Sequence, residues 1–225
     1  MNLKLLRRLL CLAAVSCISV TANAALVTYG TAGSEFNSGT LNQGWWSSGP
    51  GHSNSTTNDN HYTGSISSDT LRSFYSFDLS GISGTVTAAT LRVQRGDQNG
   101  VVNLNLWDVS TAAALVNNNA GINSAIFNDL GTGNSYYSST VSSGSFGDYL
   151  SFSLDSQALL DINAASGFFT IGASVGPSQD IFSSTGGDQT FLDLTISDVP
   201  EPASIALLGL GLFGINLARK RNQKN

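Results

Sequence analysis

Between residues 25 and 198, apolar side chains recur at every second position in short runs. Turn-forming Gly, Asn, Asp and Ser interrupt these runs at intervals of about ten residues, the spacing of an all-β sandwich or barrel. In LRSFYSFDLS, Leu71, Tyr75, Phe77 and Leu79 share one parity and Arg72, Ser76 and Asp78 the other, with Phe74 out of pattern. A period of two is that of a strand, whose successive side chains point to opposite faces, so this stretch is incompatible with a helix buried on one side.

The same alternation predicts strands in TAATLRVQ (Ala89, Leu91 and Val93 on one face), VVNLNLWDV, SYYSSTV, YLSFSL, FFTIGASV and FLDLTIS (Leu192, Leu194 and Ile196 on one face). Gly96-Asp97-Gln98-Asn99-Gly100 is expected to close a hairpin between two of them, since Asn and Gly tolerate the positive φ of a tight turn. Two short helices are expected. One is QALLDINAAS, capped by Ser156, with Leu159, Leu160 and Ile162 inward and Gly167 past its end; the other is NSAIFNDLG. The polar stretch from Ser47 to Asn60 reads as a long surface loop.

Both cysteines, Cys11 and Cys17, lie before residue 24, so the body has none and depends on core burial without disulfides. The body carries thirteen Asp and Glu35 against only Arg72, Arg92 and Arg95. So acidic a surface repels phosphate backbones, which excludes nucleic acid as a partner.

Residues 1–24 have the order of a secretory signal: basic Lys4, Arg7 and Arg8, apolar Leu9 to Val20, then the small-x-small Ala22-Asn23-Ala24. Cleavage by signal peptidase is expected after Ala24. Ala14-Val15-Ser16-Cys17 offers an alternative reading as a lipobox with an acylated Cys17.

Little in the body points to catalysis. His52 and His61 are nine residues apart without HExxH spacing, there is no GxSxG elbow, and the plain reading of both is a solvated ring. Paired aspartates could in principle serve a glycan hydrolase. Calcium suits the carboxylate and amide oxygens of Asp59, Asp97 and Asn99, although Asp97 to Gly100 reads first as a hairpin turn. Trp45 and Trp46 are adjacent, so an extended chain points them to opposite faces, one inward and one open to solvent. With Tyr62 nearby, an open ring would make a platform for a sugar; the alternative is that both rings cap the core.

The chain closes on Val199-Pro200-Glu201-Pro202, an apolar run from Ala203 to Ala218, and Arg219-Lys220-Arg221. Sixteen residues at about 1.5 Å each span about 24 Å, short of a hydrocarbon core of about 30 Å. Crossing then needs local thinning of the bilayer, with the basic cap held on the cytoplasmic side. Residues 199–225 closely resemble the PEP-CTERM sorting signal, with the motif at 200–202, the transmembrane helix at 203–218 and the basic stop-transfer cap at 219–221. The resemblance implies recognition by a membrane-embedded exosortase, cleavage near Pro-Glu-Pro, and passage through the inner membrane to the cell surface or extracellular matrix, in bacteria that make exopolysaccharide.

RSFYSFDLSGISGTVTAATLRV followed by VNLNLWDVST also resembles jelly-roll modules of the DNRLRE and carbohydrate-binding type. The resulting expectation is a single all-β, jelly-roll-like β-sandwich over 25–198, between a signal peptide and a transmembrane sorting helix. It would serve as a structural or adhesive surface protein rather than an enzyme. A carbohydrate-binding module that contacts exopolysaccharide is the alternative.

Overall fold

Whether the predicted alternation builds one sheet or two depends on which strands pair. The computed structural model describes residues 24–33, 35–36, 40–53, 55, 59–98, 100–118, 120–182 and 188–197. Eleven strands form among them: β1 Ala24–Gly30, β2 Gln43–Ser47, β3 Thr63–Ile66, β4 Asp69–Asp78, β5 Thr85–Gln94, β6 Val102–Asp108, β7 Ser135–Val141, β8 Tyr149–Ser153, β9 Phe168–Val175, β10 Asp180–Ile181 and β11 Phe191–Ser197. Three helices accompany them: α1 Ala113–Asn117, α2 Ser124–Asp129 and α3 Ser156–Ala164.

The strands divide into a four-stranded sheet in the order β1-β11-β5-β8 and a seven-stranded sheet in the order β10-β3-β4-β9-β6-β7, with β2 also paired to β4. The sheets pack face to face as a β-sandwich. Tyr75, Phe77, Leu104, Leu106 and Ile171 from one meet Leu91, Phe152, Leu192 and Leu194 from the other, all within 3 % of full burial. Burial of this apolar area, at about 25 cal/mol per Å², is the main force holding a sandwich without disulfides. Ala25–Ser197 forms one compact unit.

Phe74 is not an irregularity. Its neighbour Tyr75 points into the sandwich core, so Phe74 points out of the other face of β4. There it joins Trp46, Val116, Ile126, Phe127 and Leu130 in a second, smaller core. Helices α1 and α2 therefore cover the outer face of the seven-stranded sheet. Gly172 of β9 makes the close approach possible, because a Cβ there would lie 2.7 Å from the Leu130 carbonyl oxygen and 2.9 Å from its Cα.

Two local expectations are corrected. Gly96 to Gly100 does not close a hairpin: β5 pairs with β11 and β8, whereas β6 pairs with β7 and β9, so this segment crosses between sheets. Arg95 anchors the crossing by donating to the Ser142 carbonyl at 2.9 Å and to the Gln98 side chain. Helix α3 is capped by Asp155 rather than Ser156, its carboxylate accepting from the backbone of Gln157 and Ala158. Ala158 and Ile162 form the buried stripe, and Leu160 is 65 % exposed instead of inward.

The first and last strands are neighbours. Thr31 N donates to Thr190 O at 3.0 Å and Thr28 Oγ1 to Asp193 Oδ1 at 2.7 Å, so numbers rise along one strand as they fall along the other. The start of β1 and the end of β11 thus lie at the same end of the sheet. Ala24 opens β1, whereas Ala22 of the cleavage site, Pro200, Glu201, Pro202, the run 203–218 and Arg219, Lys220 and Arg221 lie outside the described residues. Among the described residues, no helix is long and apolar enough to cross a membrane.

Candidate functional site

The tryptophan pair points to opposite faces, but both rings are enclosed, which corrects the expectation of one open ring. Trp45 is 8 % exposed and donates its indole N–H to Asn60 Oδ1 at 3.0 Å. Trp46 is 3 % exposed and donates to the Val116 carbonyl at 2.9 Å. Pairing of β2 with β4 places Trp46 opposite Arg72, whose guanidinium lies 4.3 Å from the Phe127 ring centre and donates to the Phe127 carbonyl at 2.9 Å. Tyr62 is half-buried and donates to the Ser65 carbonyl at 3.2 Å; burial, then the Asp180 carboxylate, raises its pKa. These three residues do not form an open platform.

His61 is fully buried rather than solvated, between Tyr75 at 5.6 Å and Phe182 at 5.8 Å, both edge-on. It belongs to a hub centred on Gln43. The Gln43 amide N–H groups donate to the carbonyls of Asp59 and Asp188, both at 2.9 Å, and its oxygen accepts from Thr31 Oγ1 at 2.7 Å and Thr190 N at 3.2 Å. Gln43 Nε2 also lies 3.2 Å from His61 Nδ1. Burial depresses the imidazole pKa to about 4, against a smaller opposing effect of the Gln94 backbone. Such a ring stays neutral at physiological pH and ties three chain segments together. His52 differs: its ring is 30 % exposed and its Nδ1 lies 3.1 Å from Asp69 Oδ2, which is 6 % exposed. A Cβ on Gly49 or Gly51 would come within 2.7 Å of the same carboxylate, so the glycines let the loop close over Asp69.

Asp59, expected as a calcium ligand, is a loop clasp. Its Oδ2 accepts from Thr40 N and Oγ1, both at 2.9 Å, and its Oδ1 from Leu41 N at 3.3 Å. Asp97 is exposed in the crossing between sheets, and Asn99 lies outside the described residues. Among the described residues, no group of three or more His, Cys, Asp or Glu is placed to hold a metal ion.

The constellation that sequence reading missed is on the outer face of the four-stranded sheet. Pairing sets Phe191 opposite Arg92, Asp193 opposite Thr90, Arg92 opposite Ser151 and Gln94 opposite Tyr149. Arg92 grips Asp193 through Nε at 2.5 Å and Nη2 at 3.2 Å, and its guanidinium carbon lies 4.8 Å from the Phe191 ring centre and 5.9 Å from that of Tyr149. The two rings are 5.8 Å apart, tilted by 48°. The hydrogen bond from Arg92 holds the Asp193 carboxyl below the usual carboxylate range, and its counterpart raises the Arg92 pKa. Tyr149, 40 % exposed, donates to the Gln189 carbonyl at 3.1 Å, and burial and then Asp188 raise its pKa against the pull of Arg92. The alternation already placed Phe191, Arg92 and Asp193 outward; only the register between distant strands brings them together.

Residues 198–221 match the PEP-CTERM protein-sorting motif. This marks the chain as exported and directed by exosortase sorting at the membrane toward the cell surface. No curated protein matches the chain.

Proposed function

We propose that the β-sandwich is a non-enzymatic component of the bacterial outer surface or extracellular matrix, structural or adhesive in action. The observation that carries this reading is the junction between fold and address. The last strand ends at Ser197 and the sorting motif begins at residue 198, so the address joins the sandwich without an intervening domain. β1 starts beside the end of β11, so the first and last strands of the sandwich open and close at one end of the four-stranded sheet. Closing the four-stranded sheet requires the last strand to pair with the first, so the sandwich completes only after residue 197 has been exported.

Both histidines are engaged by neighbouring side chains. His61 is locked into the Gln43 hub, and His52 is paired with Asp69 in a glycine-rich loop. The test is a strain lacking the protein, complemented by the whole chain or by a version without residues 199–225. Surface accessibility to added protease and restoration of matrix cohesion are expected only for the whole chain. Equal surface display without the tail would refute the reading.

A further inference from the structure

The two outer faces of the sandwich are built differently. Helices α1 and α2 close the seven-stranded sheet over Trp46 and Phe74, whereas the outer face of the four-stranded sheet carries polar residues interleaved with two aromatic rings. We propose that this face binds a neutral polysaccharide, with Tyr149 and Phe191 supplying ring contact and Arg92 and Asp193 supplying directed hydrogen bonds. The inference deepens the surface-protein reading by naming the polymer class that the sheet would hold.

Three features favour a glycan. Pyranose rings present an apolar C–H face and a rim of hydroxyls, which suits aromatic rings set beside planar donors and acceptors. Tyr149 keeps 40 % of its surface open on a strand whose other outward residues, Ser151 and Ser153, are exposed and small, so nothing large on β8 screens it. Arg92 is fixed before any ligand arrives: Asp193 takes two of its five N–H groups, Thr28 holds Asp193 from β1, and the remaining guanidinium N–H groups can meet sugar hydroxyls. Such preorganisation lowers the ordering cost of binding.

Charge sets the polymer class. Arg92 and Asp193 neutralise each other, and Asp188 acts on Tyr149 from the rim. Of the body's three arginines, Arg72 and Arg95 are engaged with backbone carbonyls elsewhere. The face therefore offers no unpaired cation to an anionic chain, and the fourteen acids of the body oppose one.

The test uses the exported protein recovered from the cell surface and run in native gels containing a neutral β-glucan, a neutral galactomannan or alginate. Retardation is expected in at least one neutral polymer and not in alginate. Tyr149→Ala and Arg92→Gln should each weaken it at least tenfold. Ser151→Glu and Ser153→Glu, which alter only exposed positions, should do the same with an unchanged near-ultraviolet circular dichroism spectrum. No retardation by either neutral polymer, retardation by alginate alone, or wild-type retardation of the folded Ser151→Glu and Ser153→Glu proteins would each overturn the proposal. So would sedimentation as a dimer that Ser151→Glu dissociates. Protease accessibility on intact cells is read in parallel: a chain that reaches the surface but binds no neutral glycan defeats this inference and leaves the proposed function standing.

Discussion

Trp46 donates its indole N–H to the carbonyl oxygen of Val116 at 2.9 Å, across seventy positions of sequence. This bond joins β2 to α1 and, with the bonds from Arg72 to Phe127 and from Asn117 to Ser76, links the seven-stranded sheet to the helices that cover it. Trp46→Ala should destabilise the fold by about 3–5 kcal/mol, the usual cost of deleting a buried aromatic. Trp46→Phe should cost about 1–3 kcal/mol, because it keeps a ring but strands a buried carbonyl. Urea unfolding of both variants checks the order; a Phe variant as stable as wild type would mean that the bond is dispensable.

Gly172 should be equally intolerant, for a different reason. The methyl of Gly172→Ala would meet the Leu130 backbone, which cannot swing aside as a flexible side chain can. The variant should lose about 1–3 kcal/mol through overpacking. Hydrogen exchange should quicken first in α2, and exchange that quickens uniformly would argue against a local wedge.

His61 makes stability depend on pH. Its folded pKa, near 4, lies below the ordinary value of 6.5, so the unfolded chain binds the proton more readily. Its contribution is complete above about pH 6.5 and is lost as pH falls toward 4, by an amount on the order of 3 kcal/mol. His61→Phe should be less stable than wild type at pH 7, with the gap narrowing through that window. Parallel stability curves for the two proteins from pH 7 to 4 would show that the ring is not held neutral.

The Arg92–Asp193 pair should matter little to folding. Asp193→Asn should cost less than about 1 kcal/mol, because both groups stay partly in water. The depressed carboxyl contributes above its ordinary pKa and loses that contribution as pH falls through its lower folded value. A cost of several kcal/mol in thermal melts would reassign the pair from surface recognition to structure.

Replacing Pro200, Glu201 and Pro202 together by alanine should leave the chain in the inner membrane at its unprocessed mass. Cell fractionation and mass spectrometry measure this directly. Normal release of the triple variant would dissociate the motif from sorting.

The strands at Ser135–Val141, Phe168–Val175 and Phe191–Ser197 were legible at their observed bounds, because strong alternation is a local property. Strands β1, β2 and β3 were not, since Gly, Ser and Thr obscure their period. The five-residue helix α1 was also missed: it lacks a side-chain cap and is held largely by packing. In β5, Thr87 and Ala88 both face outward beside a bulge opposite Thr195 and Ile196, which shifts the phase seen in the raw pattern.

By itself the sequence determined that the body is all β, that it lacks disulfides, which residues of the strong strands turn inward, and that the chain ends in a sorting address. Alternation, cysteine count and a contiguous motif are all properties of neighbouring residues. The tertiary structure decided what depends on residues far apart. It enclosed both tryptophans, buried His61 against Gln43, gave Phe74 a second core and assembled Arg92, Tyr149, Phe191 and Asp193 on one face. A strand's period says which side chains share a face, but only its partner and register say what each of them meets.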